Sequence, residues 1–236
     1  TEKVAEELKK LFPDARILRM DTDTASGKGN HERILSQFKN KQADILLGTQ
    51  MIAKGLDFVD VTLVGVVSAD TVLKLPDFRA CEKTFQLLTQ VSGRAGRHKD
   101  NGSVIIQTYN PDHYAIRLAA ALNYKGFFNA EMNLRKLGKY SPYYFLTQII
   151  VSAKVYRETL VTGNKIVEDL RSGLSSEAVI LGPVLSQMKR LKNRYLIQII
   201  IKYKTEPLLD EVLEKIISHN KNNVDVIIDR YPNFLM

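Results

Sequence analysis

Asp44-Ile45-Leu46-Leu47-Gly48-Thr49-Gln50-Met51-Ile52-Ala53-Lys54-Gly55-Leu56-Asp57-Phe58 holds the reading on which the fold turns. Asp44 to Leu47 make a short apolar strand that runs straight into Gly48, and a second glycine follows at position 55. A strand opening into a glycine-flanked turn brings backbone amides and short side chains to a sheet edge, where α/β proteins commonly bind ligands. The same stretch also reads as an ordinary strand–loop connection rich in turn residues. Upstream, Val4, Leu8, Leu11 and Phe12 recur at helical spacing until Pro13. A strand is predicted over Arg16–Met20, then the polar turn Asp21-Thr22-Asp23-Thr24, a loop with Gly27 and Gly29, and a helix with Ile34, Leu35 and Phe38 on one face. Downstream, the β-branched run Val61–Val67 predicts a strand buried on both faces. A helix over Arg79–Val91 and a strand over Ser103–Thr108 complete the pattern. Strand and helix alternating at short intervals imply right-handed crossovers and a parallel sheet.

Two further helical segments, His113–Leu122 and Phe127–Leu137, lead to a break at Gly138 and Pro142. Beyond it the rhythm changes. Strand 145–152, helix 159–171, strand 178–181, strand 195–203, helix 207–219 and strand 224–229 predict a βαββαβ order. That is the ferredoxin-like, split βαβ arrangement. The expected fold class is therefore an α/β parallel-sheet lobe, residues 1–142, followed by a smaller α+β ferredoxin-like domain, residues 143–236.

Of the 236 residues, 44% are hydrophobic and 25% charged, which excludes disordered and low-complexity chains. No apolar run approaches the roughly 20 residues of a bilayer span, so no membrane association is expected. A single cysteine, Cys81, leaves no internal disulfide and no cysteine-built zinc site within the chain, and fits a reducing compartment. The net charge of +8 points to a polyanionic partner such as nucleic acid, although a mildly basic protein of another kind has the same total. Its distribution says more: residues 1–120 carry 17 Lys and Arg against 15 Asp and Glu, and residues 121–236 carry 17 against 11. The excess is thus +2 in the first half and +6 in the second. The chain starts at Thr1, inside a helical pattern, and is expected to be a fragment.

A self-contained hydrolase is not expected. There is no GxxxxGK[ST] phosphate loop; Ala25-Ser26-Gly27-Lys28-Gly29 holds half of one, with Thr22 where the first glycine belongs. HExxH and GxSxG are missing, and His31, His98, His113 and His219 are scattered as surface or capping residues. A second informative stretch is Gln86-Leu87-Leu88-Thr89-Gln90-Val91-Ser92-Gly93-Arg94-Ala95-Gly96-Arg97. A helix C-terminus favourable to cations, with glycine as its stop, accounts for one Arg and one Gly. Two arginines three apart between glycines also offer the planar forks that meet phosphate oxygens and stabilise a transferring γ-phosphoryl group. In the second domain, Lys189-Arg190-Leu191-Lys192-Asn193-Arg194-Tyr195 places four cations in six positions before a strand. Such a hairpin is either a solvated turn or a site where Lys189, Arg190, Lys192 and Arg194 grip phosphates and Tyr195 stacks on a base. Tyr143 and Tyr144 are expected in junction packing.

GTQMIAKGLDF (48–58) and QLLTQVSGRAGR (86–97) resemble motifs V and VI of superfamily 2 helicases, in order and separation. With DILL (44–47), Asp77-Phe78-Arg79, QTYNP (107–111) and LGPV (181–184), the resemblance narrows to the PriA family of DNA helicases, strongest over residues 43–111. The family ends near a DxDP-like sequence, matched more loosely here by Asp229-Arg230-Tyr231-Pro232. The resemblance implies an ATP-dependent 3′→5′ helicase of the bacterial cytoplasm that recognises stalled forks and restarts replication through primosome assembly. This chain would be its RecA-like second lobe and C-terminal domain, not expected to hydrolyse ATP alone. Phosphate loop and zinc cysteines would lie upstream, and ATP and Mg²⁺ would occupy a site shared with the upstream lobe. Implied partners are single-stranded and forked DNA, single-stranded-DNA-binding protein and helicase-loading proteins.

By the same resemblance Arg97 is the arginine finger and Arg94 assists it. Gln90, Gly55 and Asp57 line the nucleotide, and Thr49 and Gln50 hold the DNA backbone. Lys54 is either a DNA contact or solvated. Asp21, Thr22 and Asp23 lie at the same edge, where two carboxylates disfavour direct phosphate contact. Two other classes stand beside the helicase: a non-catalytic nucleic-acid-binding or scaffold module, and a Rossmann-like enzyme, which lacks GxGxxG and any catalytic constellation.

Overall fold

A computed structural model of the chain describes residues 1–21, 29–49, 52, 60–93, 102–220 and 223–232, with residues 187–189 described for their backbone alone. It comprises two compact units, residues 1–71 with 83–124 and residues 72–82 with 125–236.

In the first unit, α1 (Glu2–Leu11) precedes β1 (Ile17–Met20), and α2 (Asn30–Lys39) leads to β2 (Ile45–Gly48). β1 and β2 pair in parallel, from Ile17 opposite Ile45 to Met20 opposite Gly48, so both strands end at one edge. β3 (Leu63–Val66) and β4 (Ser103–Ile106) form a second parallel pair, with the short α3 (Asp70–Leu73) and α4 (Ala80–Ser92) between them in sequence. Parallel neighbours need such crossovers, so the strand–helix alternation did foretell the pairing. Two of its details are corrected. Among the described residues the strands form two separate parallel pairs and no continuous sheet. The run 61–67 is also not buried on both faces: Val64 and Val66 are half-buried, while Leu63, Val67 and Ile105 are 58%, 55% and 62% exposed. β-Branched residues report strand propensity, and only the period-two alternation of an actual sheet decides which face is covered. α4 packs by Thr84, Phe85 and Leu88, all buried. α5 (Tyr114–Ala120) starts with the His113 ring nitrogen accepting from the Ala115 amide, a cap, which is one of the two roles, surface or capping, expected of the scattered histidines.

The second unit contains α6 (Tyr124–Leu137) from Lys125 onward, then β5 (Phe145–Ala153), α7 (Tyr156–Gly173), β6 (Val179–Leu191), β7 (Arg194–Tyr203), α8 (Leu209–Ile217) and β8 (Val224–Arg230). The predicted βαββαβ order is the one found. Its four strands form one antiparallel sheet in the order β6-β7-β5-β8. Alternate residues Ile149, Val151, Ile197, Ile199 and Ile201 meet Ile166, Leu170, Leu209 and Ile216 of α7 and α8 in a core almost without solvent. α7 and α8 are also tied by Asp169, which accepts from His219 at 2.7 Å and pairs with Lys215 at 3.0 Å. β6 runs far past the predicted 178–181. Gly182 sits at φ +103°, and a Cβ there would lie 2.6 Å from the Gln198 carbonyl oxygen. β6 joins β7 through Lys192 and Asn193, both left-handed at φ 47° and 62°, the conformation a two-residue hairpin turn demands. Beside β8, the Asn220 side chain accepts from the Val226 amide at 2.6 Å and donates to its carbonyl at 3.4 Å. Tyr144 lies within 5.7 Å of the Lys139 and 5.3 Å of the Lys204 ammonium.

Candidate nucleotide and nucleic-acid sites

The first site begins where β1 and β2 stop. Gly48 is needed there: a Cβ would lie 2.2 Å from the Met20 carbonyl oxygen and 2.6 Å from the Ile52 side chain. The next residue, Thr49, is exposed, and its carbonyl accepts from the Ile52 amide at 3.1 Å. An exposed hydroxyl at the end of a strand is suited to phosphate oxygens. Asp21, at the end of β1, faces inward: it is 4% exposed, accepts from the Thr1 hydroxyl and pairs with Arg19 at 2.9 Å. Gln50, Lys54, Gly55 and Asp57, together with Thr22 and Asp23, lie outside the described residues.

The second site lies at the end of α4. Gln90 is half-buried in its last turns, and the Thr89 and Ser92 hydroxyls donate back to the Phe85 and Leu88 carbonyls at 2.8 Å. The Gly93 amide donates to the Thr89 carbonyl at 3.1 Å, closing the helix. Arg94 and Arg97 lie outside the described residues.

The third site is the β6–β7 hairpin, and here the four cations part company. Arg194 is committed within the sheet: its guanidinium donates to the Ser152 carbonyl at 2.8 Å and the Asn223 carbonyl at 3.2 Å, and pairs with Asp225 at 2.8 Å. Arg190 and Lys192 are exposed. The Lys189 side chain lies outside the description. The Arg190 guanidinium covers the Tyr195 ring at 4.6 Å, and Tyr156 meets that ring edge-on at 5.7 Å. A ring so covered is less open to a base than the sequence implied, while the cation above it stays on the rim. Because Ala153 pairs with Tyr195, β5 ends at the hairpin end of the sheet, where exposed Lys154 follows it and exposed Arg157 stands in the first turn of α7. Those two were missed; a predicted strand pairing, rather than any local motif, is the signal that brings them in.

Among the described residues no group of His, Cys, Asp and Glu is arranged to hold a metal ion, and no helix is long and apolar enough to cross a membrane.

Residues 1–99 match the family model described as helicase conserved C-terminal domain, and residues 136–233 match that of the primosomal protein N C-terminal domain. Over 241 residues the chain is 52% identical to the replication restart protein PriA of Bacillus subtilis, covering 100% of this chain and 30% of that protein. It is 44% identical to PriA of Synechocystis over 203 residues, 86% of this chain and 24% of the relative. PriA of Borreliella burgdorferi is 37% identical over 231 residues, 97% of this chain and 35% of the relative. The chain therefore spans about a third or less of each of these relatives.

Proposed function

Because this chain belongs to the PriA family of replication restart proteins and corresponds to their C-terminal part, helicase C-terminal domain followed by PriA C-terminal domain, we propose that it completes an ATP-driven 3′→5′ DNA helicase acting at stalled forks. In this reading residues 1–142 are the RecA-like second lobe and residues 143–236 a ferredoxin-like DNA-binding domain. The enzyme works in the bacterial cytoplasm with single-stranded-DNA-binding protein and primosome proteins as partners. Zinc belongs to the upstream part.

The observation that carries the proposal is the placement of the two motif-bearing stretches at element ends. Thr49 follows β2 at the edge where β1 also stops, and Gln90 stands in the last turn of α4, four positions before Arg94 in sequence. ATP and Mg²⁺ are held between this lobe and an upstream one that supplies the phosphate loop and metal ligands. Gln90, Gly55 and Asp57 line the nucleotide, and Arg97, with Arg94 beside it, reaches the γ-phosphate when the lobes close. Thr49, Gln50 and Lys54 grip the DNA backbone without reading sequence. On the second domain Arg190, Lys192 and Lys189 supply cations to phosphates, with Arg194 and Tyr195 shaping the hairpin that presents them.

The test is DNA-stimulated ATP hydrolysis by a protein extended upstream to the length of the relatives, wild type beside Arg97→Ala. Loss of an arginine finger costs on the order of 10³–10⁵ in rate, so the variant should be inactive while binding forks as wild type does. A folded wild type that binds forks and hydrolyses no ATP would instead make this a nucleic-acid-binding module.

A further inference from the structure

The hairpin end of the C-terminal sheet carries more than cations. Val155 and Leu191 are 52% and 47% exposed there, and Tyr156 is 40% exposed. Lys154 and Val155 link β5 to α7, and Tyr156 opens the helix. The Val155 carbonyl accepts from the amide and the hydroxyl of buried Thr159 at 3.3 and 3.1 Å, which fixes the backbone where the helix starts. The Tyr156 ring is steadied in turn by that of Tyr195, 5.7 Å away at 61°. Tyr195 is half-buried, with the Arg190 guanidinium over it at 4.6 Å. Of the two rings, Tyr156 is the one with more surface open to a ligand.

The charges around that ring are uncommitted. Among the described residues the side chains of Lys154, Arg157 and Lys192 make no hydrogen bond or ion pair, and Arg190 makes none beyond its place over Tyr195. The nearby acids leave an excess of positive charge: Asp225 is paired with Arg194, and Glu158 is the acid of the first turn of α7. Duplex DNA keeps its base faces inside the stack and offers phosphates, for which cations alone suffice. An exposed ring and two exposed aliphatic side chains among the cations gain nothing from such a partner. A single strand offers phosphates together with the flat faces of unpaired bases, and an aromatic ring set among cations meets both. A ring already held in place loses little freedom when a base settles on it.

We propose that Tyr156 is a base-stacking residue, and that the rim it shares with Lys154, Arg157, Arg190 and Lys192 is a single-stranded DNA site. An unpaired base lies on the ring while the cations hold the neighbouring phosphates. This rests on the proposed function and deepens it: it names the form of DNA that the C-terminal domain takes, and it moves the stacking role expected of Tyr195 to the ring beside it.

The experiment measures binding of the full-length protein, without ATP, to a long single strand and to a blunt duplex of equal length across a salt series. Wild type, Tyr156→Leu and Tyr156→Phe are compared, with the thermal transition of each. Losing one base–ring stack weakens binding by roughly 5–150-fold, so Tyr156→Leu should bind the single strand that much more weakly at unchanged salt slope and bind the duplex as wild type does. Tyr156→Phe, which keeps the ring, should bind both as wild type does. A folded Tyr156→Leu protein that holds the single strand as tightly as wild type overturns the inference, and so does one weakened equally on the duplex. Crosslinking decides the matter if Tyr156→Leu does not fold. Wild type irradiated with a single strand containing 5-iododeoxyuridine, which couples to an aromatic ring stacked on it, should be labelled at Tyr156; labelling confined to other residues overturns the inference. The proposed function fails separately, through a wild type without DNA-stimulated ATPase or an Arg97→Ala variant as active as wild type.

Discussion

Arg190 and Arg194 stand four positions apart on one hairpin and have different duties. Arg194 has its guanidinium among the Ser152 carbonyl, the Asn223 carbonyl and Asp225, whereas Arg190 lies over a tyrosine ring at the solvent boundary. Each phosphate contact contributes about 0.9 to the slope of log affinity against log salt on duplex DNA and about 0.7 on single strands. Arg190→Gln and Lys192→Gln should each shallow that slope by about this amount, measured by fluorescence anisotropy across a salt series. Arg194→Gln should leave the slope as it is and lower the melting temperature. The four cations were legible as a cluster, but their division was not, because Ser152 lies 42 positions away in sequence. Asp44 is a second residue whose environment is specific. The Arg16 guanidinium donates to its carboxylate at 2.7 and 3.0 Å and the Arg16 amide at 2.9 Å, holding the carboxyl at about 2 against an ordinary 3.8. A depressed carboxyl stabilises the fold above its unfolded value and loses that contribution as pH falls through the folded one. Urea midpoints of wild type should therefore drop between pH 3.8 and about 2 more steeply than those of Asp44→Asn. Equal slopes would count against the pair.

At the scale of elements, β6 shows where pattern reading stops. Gly182 and Pro183 look like a terminator after 178–181, yet the strand continues to Leu191 because the pairing with β7 shifts register around them. The irregularity depends on a backbone conformation and a close approach that only glycine satisfies. Gly182→Ala should destabilise the C-terminal domain by about 1–3 kcal/mol, read as a lower urea midpoint at unchanged slope. A change within error would mean that the strand can shift to make room. α3 escaped prediction for a different reason: four residues hold too little periodicity to see, and its place is set by buried Asp70, which accepts from the Thr108 hydroxyl and the Tyr109 amide at 3.0 and 3.1 Å. Both partners lie far along the chain. The second domain was readable almost element by element, since each strand carries its own alternation and each helix its own apolar stripe.

For the molecule as a whole, the excess of positive charge in residues 121–236 and the exposed cations of the hairpin rim fall in the same part of the chain, as the proposed sequence-independent grip on phosphates requires. The stretches at positions 48–58 and 86–97 stood out in the sequence by their glycine and arginine spacing, but packing claims part of them: Gly48 is required by the close approach of the Met20 carbonyl and the Ile52 side chain, and Leu88 is buried. What they could not reveal is that the helix leading to the arginines begins in the same compact unit as the C-terminal sheet. The Asn220 amide against Val226 has a consequence of another kind. β8 is an outer strand, and the outward backbone groups of such a strand are a template on which a second chain can extend the sheet. A side chain that imitates the next strand at the middle of β8, together with Pro183 interrupting the opposite outer strand β6, guards the domain against edge-to-edge aggregation. An edge protected in this way is a poor template for a second copy of the chain.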